Sequence, residues 1–288
     1  MSRKISFREV GQGPVLILLH GYGGSVMHWD GVRDRLAGSF RVVVPNLSHL
    51  FLTADKIFFS VQVEILAQFI RQHFPDQKVH LAGTSYSGAL TWALALQHSS
   101  LVEKIILINP VVPHPQQYFL LPELKAFLKV PFATQIIYMM LATSLGKSFL
   151  NKAAVIFRDE RVSTVERLRG RKLMFVAQMI SHFAWILKQE DWNLWQKKMK
   201  EGYVRSLVIF DREDLLFDSS AYLQFAQDLN AEKVQEITGA GHLAIKTRPE
   251  TIAKWITDFI QPVQISAAAE GSAVVPIKPE IAPSKKTA

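Results

Sequence analysis

The sequence predicts an α/β protein: a mostly parallel central sheet with helices on both faces and a helical segment inserted into it. Three observations carry that expectation. Short, continuously apolar runs such as Val15 to Leu19 and Val79 to Ala82 alternate with stretches whose apolar residues recur at helical spacing. Runs without a polar side belong to strands buried on both faces, and their alternation with helices implies parallel strands joined by crossovers. The rhythm stops after Asn109-Pro110, gives way to helical stretches alone, and resumes near Leu207.

Taken in order, Ile5, Phe7 and Val10 alternate loosely with polar residues and predict an edge strand. Gly11 to Pro14 turn the chain into the buried strand Val15 to His20. Arg41 to Pro45 predicts the next strand. From Ser60 to Phe74, apolar positions 61, 65, 66, 69 and 70 predict a helix; Lys78 to Gly83 reads as a strand, Ser85 to Gln97 as a helix and Val102 to Asn109 as a strand. Between Val112 and Gly202 the expected helices are Pro122 to Val130, Phe132 to Leu145, Arg171 to Lys188 and Asp191 to Met199. Strands follow at Leu207 to Phe210 and Lys233 to Ile237, and a helix closes the fold from Pro249 to Ile260. The expected organisation is a core in two parts, 1–111 and 203–261, a helical cap at 112–202, and a disordered tail at 262–288. That tail is rich in Ala, Pro, Ser, Val and Lys and has no periodicity.

A net charge of +8 with a pI near 9.6 raises the question of nucleic acid. Between Gly146 and Arg205 there are 13 Lys or Arg against 6 Asp or Glu, so nearly all the excess lies on helical stretches that also carry regular apolar residues. That distribution is not a basic arm or a nucleic-acid motif, and no nucleic-acid partner is expected. The absence of cysteine excludes disulfides, thiolate metal sites and a cysteine nucleophile. Val15 to Leu19 is too short for a signal-peptide core. The longest uncharged stretch, Val130 to Gly146, is 17 residues and falls short of the roughly 20 that span a bilayer. The expected location is cytoplasmic, with no transmembrane segment.

The chemistry concentrates in four segments. Gly83-Thr84-Ser85-Tyr86-Ser87-Gly88 lies between a strand and a helix, where a sharp turn would expose the Ser85 hydroxyl and require small neighbours at 83 and 87. A serine hydroxyl is a poor nucleophile near neutral pH. It needs a base, an acid to orient that base, and donors for the oxyanion that forms. Leu207-Val208-Ile209-Phe210-Asp211-Arg212-Glu213-Asp214 puts acids beyond a buried strand; Asp214 is the leading candidate, with Asp211, Glu213 and Asp218 as rivals. Gly239-Ala240-Gly241-His242 follows the last strand, and His242 alone among nine histidines comes after those acids. His20-Gly21-Tyr22-Gly23-Gly24-Ser25 follows the second strand, where glycine lets main-chain N–H groups point inward.

In order and spacing these four motifs resemble the α/β-hydrolase fold superfamily, above all its small serine esterases and carboxylesterases with a helical cap, which the resemblance places after strand six. The resemblance covers about residues 5 to 260 and is weakest in the insert. It implies Ser85 as nucleophile, Asp214 as acid, His242 as base, and the backbone N–H groups of Tyr22 and Tyr86 as the oxyanion hole, with no metal and no organic cofactor. Three positions depart from the family pattern. Ser87 stands where a glycine is usual, Asp211 replaces the glycine after the strand, and Pro45-Asn46-Leu47-Ser48-His49-Leu50-Phe51 replaces Pro-Asp-Leu-Pro-Gly-x-Gly.

The implied activity is hydrolysis of a carboxylic ester of a mainly hydrophobic small molecule through an acyl-enzyme on Ser85. A thioester, a lactone or a carbon–carbon bond would suit the same triad, and a non-catalytic ligand-binding protein of the same fold is the alternative from another class. His20 is expected to pack under the oxyanion loop, and His28 and His49 to be loop or pocket-wall residues. His182 is expected first in the core of the cap and second buried against the active site. Phe119, Leu120, Leu121, Leu124, Phe127, Leu128, Ile136, Ile137, Met139, Met140 and Leu141 are expected first as packing for the cap and second as an acyl pocket. The basic flank from Lys147 would allow peripheral contact with an anionic membrane. Oligomeric state is not legible.

Overall fold

The computed structural model describes residues 5–51, 56–129, 134–157 and 171–261. The tail from 262, and residues 130–133 of the uncharged stretch, lie outside the described residues. Among those described, seven strands form one sheet in the order β1-β3-β2-β4-β5-β6-β7. The strands are β1 (Phe7–Val10), β2 (Val15–Leu19), β3 (Arg41–Pro45), β4 (Val79–Thr84), β5 (Val102–Ile108), β6 (Arg205–Asp211) and β7 (Lys233–Ile237). Only β1 runs antiparallel, paired to β3 at the edge; each other neighbouring pair is parallel.

Alternate residues of the five inner strands, β2 to β6, serve opposite faces, and both are largely buried, whereas the edge strands β1 and β7 are mostly exposed. Leu16, Leu18, Val42, Val44, Ile106, Ile108, Leu207 and Ile209 pack with α1 (Asp30–Leu36), α11 (Ala244–Thr247) and α12 (Pro249–Ile260). Ile17, Leu19, Val43, Leu81, Ile105, Leu107, Val208 and Phe210 share the other core with α3 (Phe59–His73), α4 (Tyr86–Gln97) and α10 (Ser219–Asp228). Two-sided burial is why these strands read as unbroken apolar runs.

The chain leaves β2 for β3 on one side and continues through β4 on the other. The carboxyl ends of β2 and β4 therefore flank the point where strand order reverses, the place at which open α/β sheets hold ligands. Several small elements were not legible: α1, the short α2 (Ser48–Phe51), α10 and α11.

The described part of 112–202 begins with an irregular stretch that bridges Phe119 to Phe217 and is then helical apart from connecting turns: α5 (Pro122–Lys129), α6 (Thr134–Leu141), α7 (Ser144–Phe157), α8 (Arg171–Gln189) and α9 (Trp192–Glu201). In this chain's own count the segment follows the fifth strand rather than the sixth, since five strands, β1 to β5, precede it and β6 begins at Arg205. The single helix expected from Phe132 to Leu145 is two. Thr143 Oγ1 donates to the Met140 carbonyl, and a Cβ on Gly146 would come within 2.2 Å of the Leu141 Cα, so glycine lets α7 fold back against the end of α6.

Below the sheet, buried Lys104 donates from Nζ to the carbonyls of Phe259 (2.8 Å) and Ile260 (3.1 Å), capping the last turn of α12. Lys104→Met is expected to lower unfolding free energy by about 2 kcal/mol in a urea titration, because two charge-assisted bonds vanish and two carbonyls lose their donor. Turnover should not change, as the residue lies at the opposite end of the strands from Ser85.

Candidate active site

Ser85 joins β4 to α4 with φ 55° and ψ −125°, a left-handed backbone that costs a non-glycine residue strain. The surroundings hold it there. Its N–H donates to the Ile108 carbonyl at 3.0 Å, and its own carbonyl accepts from Gly88 and Val111, each at 2.9 Å. Close packing explains the small neighbours. A Cβ on Gly83 would lie 2.2 Å from Thr91 Oγ1 and 2.4 Å from the Ser87 carbonyl, and one on Gly88 would lie 2.7 Å from the Pro110 Cβ. Ser87 fits where glycine is usual, and its hydroxyl donates to the His20 carbonyl at 2.5 Å.

His242 Nε2 lies 2.9 Å from Ser85 Oγ, and its Nδ1 lies 2.8 Å from Asp214 Oδ2. With Nδ1–H donating to the carboxylate, Nε2 is the acceptor facing the serine hydroxyl. Asp214 also accepts from the Tyr222 hydroxyl on Oδ2 (2.6 Å) and from the Leu216 N–H on Oδ1 (2.8 Å). Burial by itself pushes the Asp214 carboxyl up, but the His242 ring, the Tyr222 hydroxyl and the Leu216 amide together hold it below the usual carboxylate range. Of the rival acids, Asp218 caps α10, accepting from Ser220, and the Glu213 side chain is exposed. Asp211 is fully buried and accepts only main-chain N–H groups in the contacts it makes: Glu213 on Oδ1, Ala240 and Gly241 on Oδ2.

The loop after β2 passes beside the serine. A Cβ on Gly21 would lie 3.1 Å from the Ser85 Cβ, a tight contact that glycine avoids. Tyr86 is the first residue of α4, whose opening N–H groups have no intrahelical acceptor. Its ring turns away into the core, where the hydroxyl donates to Gln62 Oε1 at 3.0 Å. The Tyr22 hydroxyl faces the carbonyls of Phe51 (3.1 Å) and Met179 (3.2 Å), and burial pushes its pKa up, so it remains a neutral donor.

His20 lies under this loop. Its Nε2 accepts from Leu47 N–H at 3.0 Å and its Nδ1 faces the Gly21 carbonyl at 3.1 Å. Burial, opposed by the Gly21 hydrogen bond and aided by nearby His28, lowers its pKa to about 4, so the ring stays neutral near pH 7. Segment 46–51 is a helical turn rather than a glycine turn: Asn46 Oδ1 accepts from Ser48 N–H, and the chain coils into α2. The Phe51 carbonyl that ends it accepts from both Tyr22 and His182 Nδ1 (2.7 Å). His182 therefore spans the junction between insert and core rather than filling the core of the insert.

Aromatic side chains from both parts of the chain line this region. The Phe183 ring of α8 lies 5.1 Å from Tyr22, 5.8 Å from Tyr86 and 6.4 Å from Phe119. The Phe119 ring lies 4.7 Å from Phe217 in a tilted arrangement, and Phe217 is itself 6.2 Å from the His242 ring. Most of the apolar front of the insert is packing, as in Leu124, Phe127, Ile137 and Leu141, while Leu120 and Met139 are exposed. Sequence reasoning missed Phe217 and Tyr222, whose relation to His242 and Asp214 is spatial and leaves no local pattern. Among the described residues, no group of three or more His, Cys, Asp or Glu side chains is placed to hold a metal ion, and no helix is long and apolar enough to cross a membrane.

The sequence pattern of a protein family described as alpha/beta hydrolase fold matches residues 14–249. The chain belongs to the α/β-hydrolase fold family. A pimeloyl-[acyl-carrier protein] methyl ester esterase of Vibrio vulnificus is 32% identical over 108 residues, 38% of this chain and 41% of that protein, so the chain spans about two fifths of that relative's length. A monoacylglycerol lipase of Xenopus laevis is 24% identical over 271 residues, covering 88% of this chain and 77% of the other. Among solved structures, an esterase from Thermogutta terrifontis superposes with a TM-score of 0.66 at 18% identity, covering 89% of this chain and 92% of that chain; it shares the fold.

Proposed function

We propose that this α/β-hydrolase is a serine hydrolase that cleaves a carboxylic ester of a mainly hydrophobic small molecule through an acyl-enzyme on Ser85. The observation that carries the reading is the continuous path from Ser85 Oγ through His242 to Asp214, at 2.9 and 2.8 Å, starting from a serine in a strained turn. His242 Nε2 takes the hydroxyl proton as Ser85 attacks the carbonyl carbon, and the Tyr22 and Tyr86 amides stabilise the oxyanion. His242 returns the proton to the leaving alcohol. Water then repeats the sequence on the acyl-enzyme and releases the acid. Asp214 fixes the imidazole tautomer and offsets its charge.

The named activities of the Vibrio and Xenopus relatives, both on esters, support the bond type. Phe183, Phe119 and Phe217 support an apolar acyl or alcohol part, with residues 112–202 acting as the cap. The triad would serve a thioester, a lactone or a carbon–carbon bond equally well, and a substrate panel separates these. On p-nitrophenyl esters, kcat/KM is expected to rise at least about tenfold from acetate to hexanoate, since each buried methylene contributes about 0.8 kcal/mol. A maximum at acetate would rule out a hydrophobic acyl site. A fluorophosphonate should label Ser85 in the folded protein; failure to label would favour a binding protein that has lost turnover.

A further inference from the structure

The Gly239-Ala240-Gly241-His242 loop presents a mechanical problem. Gly239 and Gly241 have φ of 70° and 71°, and a Cβ on either would meet nothing within 4 Å. They are glycine for backbone shape, not for want of space. Within 239–241 the loop has only the buried Ala240 methyl as a side-chain anchor, and the Thr247 hydroxyl holds the Ala240 carbonyl at 2.7 Å, which leaves the Gly241 peptides to be held by other groups. Yet His242 must keep one ring nitrogen on Ser85 and the other on Asp214.

We propose that Asp211 and Asn109 form a two-sided clamp on this loop and act as positioning residues for His242, an inference that rests on the hydrolase reading above. The clamp closes on the Gly241 peptides from both directions. The Gly241 N–H donates to Asp211 Oδ2 at 2.6 Å, and its carbonyl accepts from Asn109 Nδ2 at 3.1 Å. Either side extends one residue further: Asp211 Oδ2 also takes the Ala240 N–H, and Asn109 Nδ2 also donates to the His242 carbonyl at 2.9 Å. The two residues are also joined to each other, since the Asp211 main-chain N–H donates to the Asn109 side chain at Oδ1, 2.8 Å away.

The clamp is anchored to the sheet. Asn109 directly follows β5 with φ 42°, and its N–H bonds across to the Ile209 carbonyl of β6 at 2.9 Å. Asp211 is the last residue of β6, and its Oδ1 takes the Glu213 N–H at 2.6 Å, inside the turn that presents Asp214. One carboxylate thus braces the loop of the base and the turn of the acid. Asp211 stands where the family pattern has glycine, and a glycine could brace neither. Asn109 and Asp211 are both fully buried, so the bonds are made without competition from water.

The test compares Asp211→Gly, Asn109→Gly and, as a control, Glu213→Gln in the full chain, using p-nitrophenyl butyrate. For the two clamp variants kcat is expected to fall about 10- to 100-fold with KM within about threefold, because the base is displaced while the acyl site is intact. The far-downfield proton NMR signal of His242 Nδ1–H should broaden or vanish. Glu213→Gln should match wild type in both. If the clamp variants keep wild-type kcat and the downfield signal while only melting earlier, the two residues support the fold and the proposal is overturned. Should Asp211→Gly fail to fold, Asn109→Gly, which suits the left-handed backbone at that position, decides alone. An active Ser85→Ala would remove the hydrolase reading and the clamp's role with it; inactive Ser85→Ala beside fully active clamp variants would remove the clamp only.

Discussion

Ser85→Ala is expected to lower kcat on short p-nitrophenyl esters by about 10³-fold or more and to abolish fluorophosphonate labelling, with KM little changed. The expected size follows from what the substitution removes. In the proposed mechanism, loss of Oγ removes the acyl-enzyme and leaves only substrate binding and the oxyanion amides, which in serine hydrolases keep rates well above water alone. A 10³-fold loss is about 4 kcal/mol of transition-state stabilisation. Folding is not expected to suffer. The elbow is held by main-chain bonds from Ser85 N–H to Ile108 and from Gly88 and Val111 to the Ser85 carbonyl, all of which alanine keeps. Thermal melting of the variant should therefore resemble wild type. Wild-type turnover by Ser85→Ala would sink the mechanism outright.

The parts of this site that were legible in sequence share a property: each is announced by its neighbours along the chain. Ser85 is flanked by a strand, a helix and obligatory small residues, and His242 by two glycines whose backbone shape the loop requires. Asp214 follows an apolar strand at a telling distance. What was not legible is set by contacts between distant segments. Asn109 reads only as the residue before a proline, although its side chain reaches 132 and 133 residues ahead to Gly241 and His242. Phe183 shows a helical spacing shared by ordinary core residues, and nothing local says that its ring meets Tyr22 and Tyr86. The same limit applied to the fold. The inner sheet strands were readable because two-sided burial makes their runs mostly apolar, while α1 and α10 are short and mix polar residues with their buried faces.

Asp214→Asn is expected to lower kcat by about 10³- to 10⁴-fold while leaving the protein folded, and the direction comes from the donors around the carboxylate. Both oxygens of Asp214 face donors. Oδ1 takes the Leu216 main-chain N–H, and Oδ2 takes the Tyr222 hydroxyl and His242 Nδ1–H. An asparagine must turn its amide N–H₂ toward one of these sets. The Leu216 amide cannot reverse its polarity, so the asparagine oxygen stays there and the N–H₂ points at Tyr222 and His242. The tyrosine hydroxyl can rotate to accept. The imidazole can accept only by moving its proton to Nε2, which then faces Ser85 Oγ as a donor and cannot take the hydroxyl proton. Tyr222→Phe provides the comparison, since it removes one donor and leaves the His242 tautomer intact; its kcat should fall no more than about tenfold. Asp211→Asn leaves Asp214 and the tautomer in place, so its loss should stay well short of that of Asp214→Asn. Measured as kcat for one ester across the four proteins, the order wild type, Tyr222→Phe, Asp211→Asn, Asp214→Asn is the expected one, and a larger loss at Asp211 than at Asp214 would transfer the role of the acid to Asp211.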